Sequence, residues 1–285
     1  MRFLFGQHPG AGLAVNPTSI ETNAFGEATA VVTSGTRSGV IQLIAEATAI
    51  DGRTVRSDPV RLTIHGGMPD QTHFTLGPTL RNIPGLVRAN ETTDIEVIVG
   101  DKYSNPVIPG TAVYFETTHG VIGGSTETDA DGLGSVVLRS GNPLPTQNGF
   151  VVVTGETADE TADRVVGQTP VLFSGATQIT LRPEPSGSEP PGFGDYGLTV
   201  ADPLGNPLAK GTSIRVAVEG TGTLVSGYTE TTLDDTNLGV RDENGDGRIQ
   251  NSEVEVARNQ AGTFEGITEF PDRKSTRLNS SHRLR

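Results

Sequence analysis

Residues 242–253 read Asp-Glu-Asn-Gly-Asp-Gly-Arg-Ile-Gln-Asn-Ser-Glu. Asp242, Asn244 and Asp246 offer side-chain oxygens at alternating places, and Gly247 allows the sharp turn that follows. Arg248 needs to supply only its backbone carbonyl, and Glu253 closes the run with a carboxylate able to bind through both oxygens. This is the ligand order by which a twelve-residue loop wraps a hard cation in oxygen, and calcium is the ion it suits. Ile249 holds the eighth place of the loop, where an apolar side chain packs inward. A metal-free acidic turn is the rival reading. It has no need of a glutamate at the twelfth place or an apolar residue at the eighth.

Other chemistry-bearing residues read more plainly. Gly192-Phe193-Gly194-Asp195-Tyr196-Gly197 matches G-x-G-x-x-G. A dinucleotide site needs a strand before it and a helix after it. Here Pro190-Pro191 precede and a strand-like run follows, so nucleotide binding is not expected. His8, His65, His73, His119 and His282 show no ligand spacing and accompany no nucleophile motif. Asp129 and Asp131 make a partial D-x-D-G without the closing acid, which suits a strand turn. Asp234 and Asp235 stand shortly before Asp242 and are read as outer ligands or as added local charge. Asn90-Glu91-Thr92 has only the form of a glycosylation sequon. With 34 carboxylates in the chain, no single pair stands out for glycoside hydrolysis. No catalytic constellation emerges, and the chain is read as a non-enzyme.

These residues must be positioned by β-structure. Among 285 residues, Gly and Pro number 37 and 18, Trp is absent and aromatics are sparse. Val, Ile and Thr recur in short runs. That mixture favours short strands and tight turns over helical bundles. Cysteine is absent, which excludes a disulfide framework and thiolate chemistry. The net charge of −13 argues against nucleic-acid partners, which require a basic patch. No apolar run is long enough to span a membrane.

Internal repeats set the organisation. Residues 21–35 (ETNAFGEATAVVTSG) match residues 127–141 (ETDADGLGSVVLRSG), and residues 101–115 (DKYSNPVIPGTAVYF) match residues 202–216 (DPLGNPLAKGTSIRV). The second match pairs Asp101 with Asp202, Asn105 with Asn206 and Pro106 with Pro207. Both offsets are close to 100 residues, the size of one immunoglobulin-like sandwich.

The expected fold class is all-β, in tandem immunoglobulin-like β-sandwiches, one partial and two near-complete. Residues 1–66 are the C-terminal part of one module, and this half-module is expected to expose core residues. Residues 67–175 form a complete module, joined to the first at Gly67-Met68-Pro69-Asp70. Its strands are expected at His73–Leu76, Asp94–Val99, Thr111–Glu116, Gly134–Arg139, Phe150–Thr154 and Val165–Phe173. Residues 176–271 form a third module, with strands at Gln178–Leu181 and Leu198–Ala201 around a Pro-rich loop at 183–191. The calcium loop is a helix-free insertion between its strands, with Val254-Glu255-Val256 alternating like a strand and Gly262–Phe270 resuming the sheet. Residues 272–285 carry five basic residues and one acid. They resemble a translated sequencing adapter and are set aside, so the protein is expected to continue beyond Pro271.

The pattern V-x-D-x-x-x-N-P-V-x-x-G-T-x-V-x-F, followed by T-x-T-D-A-x-G-x-x-x-V-x-L-x-S-G, resembles bacterial immunoglobulin-like domains of the invasin/intimin type. It covers the middle copy fully and the flanking copies in part. The resemblance implies extracellular modules stacked as a rod on a bacterial surface, with a structural and adhesive role and no catalytic residues. The implied partner is a surface protein or glycan of a host or neighbouring cell. The Pro-rich loop and the EF-hand-type calcium loop of the third copy lie outside the family pattern. The alternative function is an accessory or spacer module of a secreted carbohydrate-active enzyme. A dockerin would carry two such loops with helices, and one is present here. Calcium is expected to pin a long loop and make one module locally rigid.

Overall fold

The computed structural model describes residues 1–10, 12–184, 195–215, 230–235, 240, 244, 249–250 and 252–253. The architecture is all-β, in tandem immunoglobulin-like sandwiches.

The first sheets comprise β1 (Arg2–Phe5), β2 (Ala14–Asn16), β3 (Val31–Thr33), β4 (Gly39–Thr48), β5 (Thr54–Arg56) and β6 (Val60–Ile64). Strand β4 is central, pairing antiparallel with β1, β5 and β6, while β2 pairs with β3. Phe3, Val15 and Ile41 are buried, but Val40, Val60 and Leu62 stand exposed on β4 and β6.

The middle copy holds β7 (Phe74–Pro78), β8 (Asn82–Ile83), β9 (Thr92–Val99), β10 (Ala112–Thr117), β11 (Val121–Ile122), β12 (Ser125–Glu127), β13 (Leu133–Arg139), β14 (Phe150–Ala158) and β15 (Arg164–Phe173). One sheet runs β11-β13-β9-β7 and the other β12-β10-β14-β15-β8. This is immunoglobulin topology. The middle module's first strand is split between the sheets, and its second half, β8, runs parallel to that module's last strand, β15. The sequence pattern locates the six main strands. The short β8, β11 and β12 escape it, because two or three residues carry no readable alternation.

Period-two alternation explains the packing. Along β9, Thr93, Ile95, Val97 and Val99 point inward while Thr92, Asp94, Glu96 and Ile98 point out. Ile95 and Val97 meet Val113, Leu138, Val151, Val153, Val171 and Phe173 in one core between the sheets.

The third copy contributes β16 (Gln178–Glu184), β17 (Asp195–Ala201), β18 (Ser213–Arg215) and β19 (Glu230–Thr232). β16 and β17 pair along their full length, with Pro183 opposite Tyr196 and Glu184 opposite Asp195. The start of the segment expected as a Pro-rich loop is thus strand. Proline is tolerated there because β16 has its only partner, β17, on one side among the described residues. Residues 185–191, Val254–Val256, Gly262–Phe270 and 272–285 lie outside the described residues. Val200, Leu208 and Ile214 form a small core with Leu233.

Candidate metal centre and its seat

Of the five expected ligands, Asn244 and Glu253 are described, and Asp242, Asp246 and Arg248 lie outside the described residues. Ser252 and Glu253 have helical backbone. The physical reason is a local cap. The Glu253 N–H donates to the Gln250 carbonyl at 3.0 Å, and Glu253 Oε2 accepts the Gln250 N–H at 2.8 Å. A glutamate reaching back to the first amide of a helical turn is one half of a capping box.

The other oxygen, Oε1, accepts the Asn244 N–H at 3.3 Å. One carboxylate therefore ties together the third, ninth and twelfth places of the loop. Glu253 is buried, with 5% of its surface exposed. Among the described residues, no group of three or more His, Cys, Asp or Glu is gathered as a metal site.

Ile249 packs inward, but against a different body from the one expected. With Val240 and Ala201 it covers Phe150 and Leu172, which belong to the middle copy. Phe150 and Leu172 face each other across β14 and β15. They sit on the outer face, opposite in parity to the core residues Val151, Val171 and Phe173. The Ile249 N–H also donates to Gln168 Oε1 on β15 at 2.5 Å, and Gln168 Nε2 donates to Thr154 Oγ1 at 2.8 Å. The loop is therefore seated on the preceding module.

Asp235 behaves likewise. Its carboxylate accepts the backbone N–H groups of Arg81 and Asn82 at 3.0–3.2 Å, at the start of β8. The outer-ligand reading of Asp235 is replaced by an edge cap on the middle copy. Asp234 is exposed and lies 3.9 Å from Lys210.

The remaining sequence sites take structural roles. Asp129 Oδ1 accepts the N–H groups of Asp131 and Leu133 at 2.8 and 2.9 Å, closing the turn into β13. Gly132 in that turn has φ +76°, and a Cβ there would stand 2.4 Å from the Val99 carbonyl oxygen. Only glycine meets both demands. Asp195-Tyr196-Gly197 of the G-x-G-x-x-G run lie in β17, where a phosphate-binding helix start would be required. His73 Nδ1 contacts Asp70 Oδ1 at 3.0 Å, and its Nε2 contacts Ser104 Oγ at 2.8 Å. The Thr72 hydroxyl first, and His73 second, hold the Asp70 carboxyl below its ordinary range.

Sequence reasoning missed Phe150, Leu172 and Gln168 as partners of the loop. A signal was present in Phe150-Val151-Val152-Val153 and Val171-Leu172-Phe173. Consecutive apolar residues in a strand leave one face unaccounted for unless another element covers it.

Searches against known protein families and against curated proteins find no match. Solved structures similar in shape include FdeC, an Escherichia coli adhesin, at 16% identity and TM-score 0.46, over 78% of this chain and 70% of that one. The D00-D0 domain of intimin matches at 18% identity and TM-score 0.32, over 61% of this chain and 84% of that one. The D0-D1 domain of intimin matches at 18% identity and TM-score 0.26, over 60% and 80%.

Proposed function

We propose that this chain is a non-catalytic segment of a secreted bacterial surface protein, in which immunoglobulin-like modules stacked end to end project an adhesive contact. The supporting observation is repetition: one sandwich plan recurs along the chain with its joining loop, Asp101 to Pro106 and again Asp202 to Pro207. A structural rod needs such a unit, and its partner would be a surface protein or glycan of a host or neighbouring cell. Among the described residues no helix is long and apolar enough to cross a membrane.

Calcium belongs to the same proposal. Asp242, Asn244, Asp246, the Arg248 carbonyl and Glu253 would hold it, and the ion would supply charge neutralisation and loop closure. Extracellular calcium modules bind with dissociation constants of about 10⁻⁴–10⁻³ M. At about 1 mM free ion, a site at the tight end of that range adds about 1.4 kcal/mol by mass action.

Two measurements test the reading. Binding of the purified chain to cultured cells and to glycan surfaces tests adhesion, and retention on insoluble polysaccharide alone would favour the accessory-module role. Thermal melting of the full chain in EDTA and in millimolar calcium tests the metal. The calcium-dependent rise should vanish in Asp242→Ala, and identical melting of the unmodified chain in both buffers overturns calcium binding.

A further inference from the structure

Both joints between copies are built from the same side chains and share most of their bonds. One difference is that Asn105 Oδ1 accepts a bond at the first joint, whereas Asn206 Oδ1 accepts none at the second among the described residues. At the first joint, Asp101 Oδ1 accepts the N–H groups of Tyr103 and Asn105 at 2.8 and 2.9 Å, which folds the loop on itself. Asp101 Oδ2 turns outward and accepts the N–H of Gly67 in the linker at 2.8 Å. Asn105 Nδ2 bonds Asp101 Oδ2 at 2.9 Å and also donates to the Thr36 carbonyl of the preceding copy at 2.9 Å. Asn105 Oδ1 accepts the Ser38 N–H at 3.0 Å.

The second joint repeats this plan. Asp202 Oδ1 accepts from Leu204 and Asn206 at 2.9 and 2.8 Å, and Asp202 Oδ2 accepts from the linker amide of Gly175 at 2.9 Å. Asn206 Nδ2 bonds Asp202 Oδ2 at 3.2 Å and the Asn148 carbonyl of the preceding copy at 2.9 Å. Thr36 and Asn148 occupy the same place in their modules, the loop that enters the long strands β4 and β14. Asp101, Asp202 and Asn206 are all buried.

From this we infer that the Asp-x-x-x-Asn-Pro loop of each module is a socket for the module before it, and that this socket fixes the angle between neighbours. The groups it takes from the linker and the preceding module are a glycine amide, a loop carbonyl and, at the first joint, a loop amide, all of them main-chain groups. At the second joint the preceding module adds one side chain, Asn82, whose Nδ2 donates to the Pro207 carbonyl at 2.9 Å. Buried bonds to a carboxylate are among the strong ones, and breaking one leaves a desolvated group without a partner. Close approach adds a steric requirement. A Cβ on Gly66 would stand 1.9 Å from the Pro106 carbonyl oxygen, inside any allowed contact.

The joint explains what a repeat of near-identical loops would otherwise leave unaccounted for. A turn alone needs the Asp101 bonds to Tyr103 and Asn105. It has no need of the second carboxylate oxygen or of the asparagine amide, both of which reach the neighbouring module. The inference is independent of calcium, because none of these residues lies in the 242–253 loop.

The test uses the full chain, which has no native cysteine to interfere with labelling. Spin labels at the exposed positions Arg61→Cys and Ser125→Cys report the first joint, and Ser125→Cys with Thr232→Cys the second. Distances are read by pulsed electron resonance, and hydrogen exchange at Val97 and Val113 checks that the core is intact. Asn105→Ala should broaden and shift the first distance distribution and leave the second unchanged. Gly66→Ala leaves the socket residues untouched and should displace the first distribution by steric wedging, so it stands in if Asn105→Ala loses core protection. Thr36→Ala with Ser38→Ala should change nothing. An unaltered first distribution in Asn105→Ala with a protected core, or in Gly66→Ala, overturns the socket. Broadening in the Thr36/Ser38 pair overturns main-chain recognition at the first joint.

Discussion

The Ile249 N–H donates to Gln168 Oε1 at 2.5 Å while its side chain packs on the pair Phe150 and Leu172, and this contact between copies of the repeat places the candidate calcium loop at the junction of two modules. Leu172 is fully buried although it faces away from the core of its own sandwich. Its burial depends on Ile249, Val240 and Ala201.

Ile249→Ala should therefore destabilise the middle module as well as the loop. Ile249 is only partly buried, so the expected loss is about 2 kcal/mol, the low end for such a truncation. Urea denaturation of the full chain measures it. Hydrogen exchange should show faster opening at Phe150 and Leu172, and an effect confined to residues after 195 would contradict the contact.

Glu253 separates structural from metal-binding effects. It accepts the Asn244 and Gln250 amides with no ion needed to hold the bonds. Glu253→Ala should lower stability by about 0.5–2 kcal/mol even in EDTA, the usual loss of a helix cap. Asp242→Ala should be silent in EDTA and lose only the calcium-dependent increment. Differential scanning calorimetry of both variants in the two buffers makes the comparison, and equal behaviour in EDTA would remove the capping role.

Within the middle sandwich, Leu138 is fully buried among Ile95, Val136 and Phe173. Leu138→Ala removes three carbons from a closed core and should cost about 2–5 kcal/mol. For a module of about 100 residues each kcal/mol moves the midpoint by about 4–8 °C, so the loss is easily seen by circular dichroism. Ile98→Ala on the same sheet, with its side chain exposed, should change the midpoint little.

The middle sandwich was legible because its strands alternate cleanly: Asp94-Ile95-Glu96-Val97 assigns its own inner and outer faces. The candidate calcium loop was legible as a ligand order, since that order is local. Where the loop sits was not. Ile249 announces that it is apolar, but nothing near it in sequence says that its partner is Leu172. The repeat of Asp101 and Asn105 as Asp202 and Asn206 was visible as identity but its role was not, because an Asp at the head of a turn usually bonds only its own loop. The second oxygen of each carboxylate does the joining, and its target, a glycine amide more than twenty residues away, carries no side chain to betray it.

The first joint should also respond to acid through Asp101. Burial raises its carboxyl pKa, but the bonds from Gly67, the Asn105 side chain and the Asn105 and Tyr103 amides together outweigh that and hold it below the ordinary range. A folded-state pKa below the unfolded value of about 3.9 contributes stability that is fully present above that value. The contribution is lost as pH falls through the folded-state value. Urea midpoints of the full chain and of Asp101→Asn, measured from about pH 6 to about pH 2, should differ most at the neutral end and converge in acid. Asn at this position keeps one acceptor oxygen but no charge, so its own midpoint carries the titration of the other carboxylates and serves as the baseline. A gap between the two chains that stays constant across the range would show that the Asp101 carboxylate is not held in its ionised form by the joint.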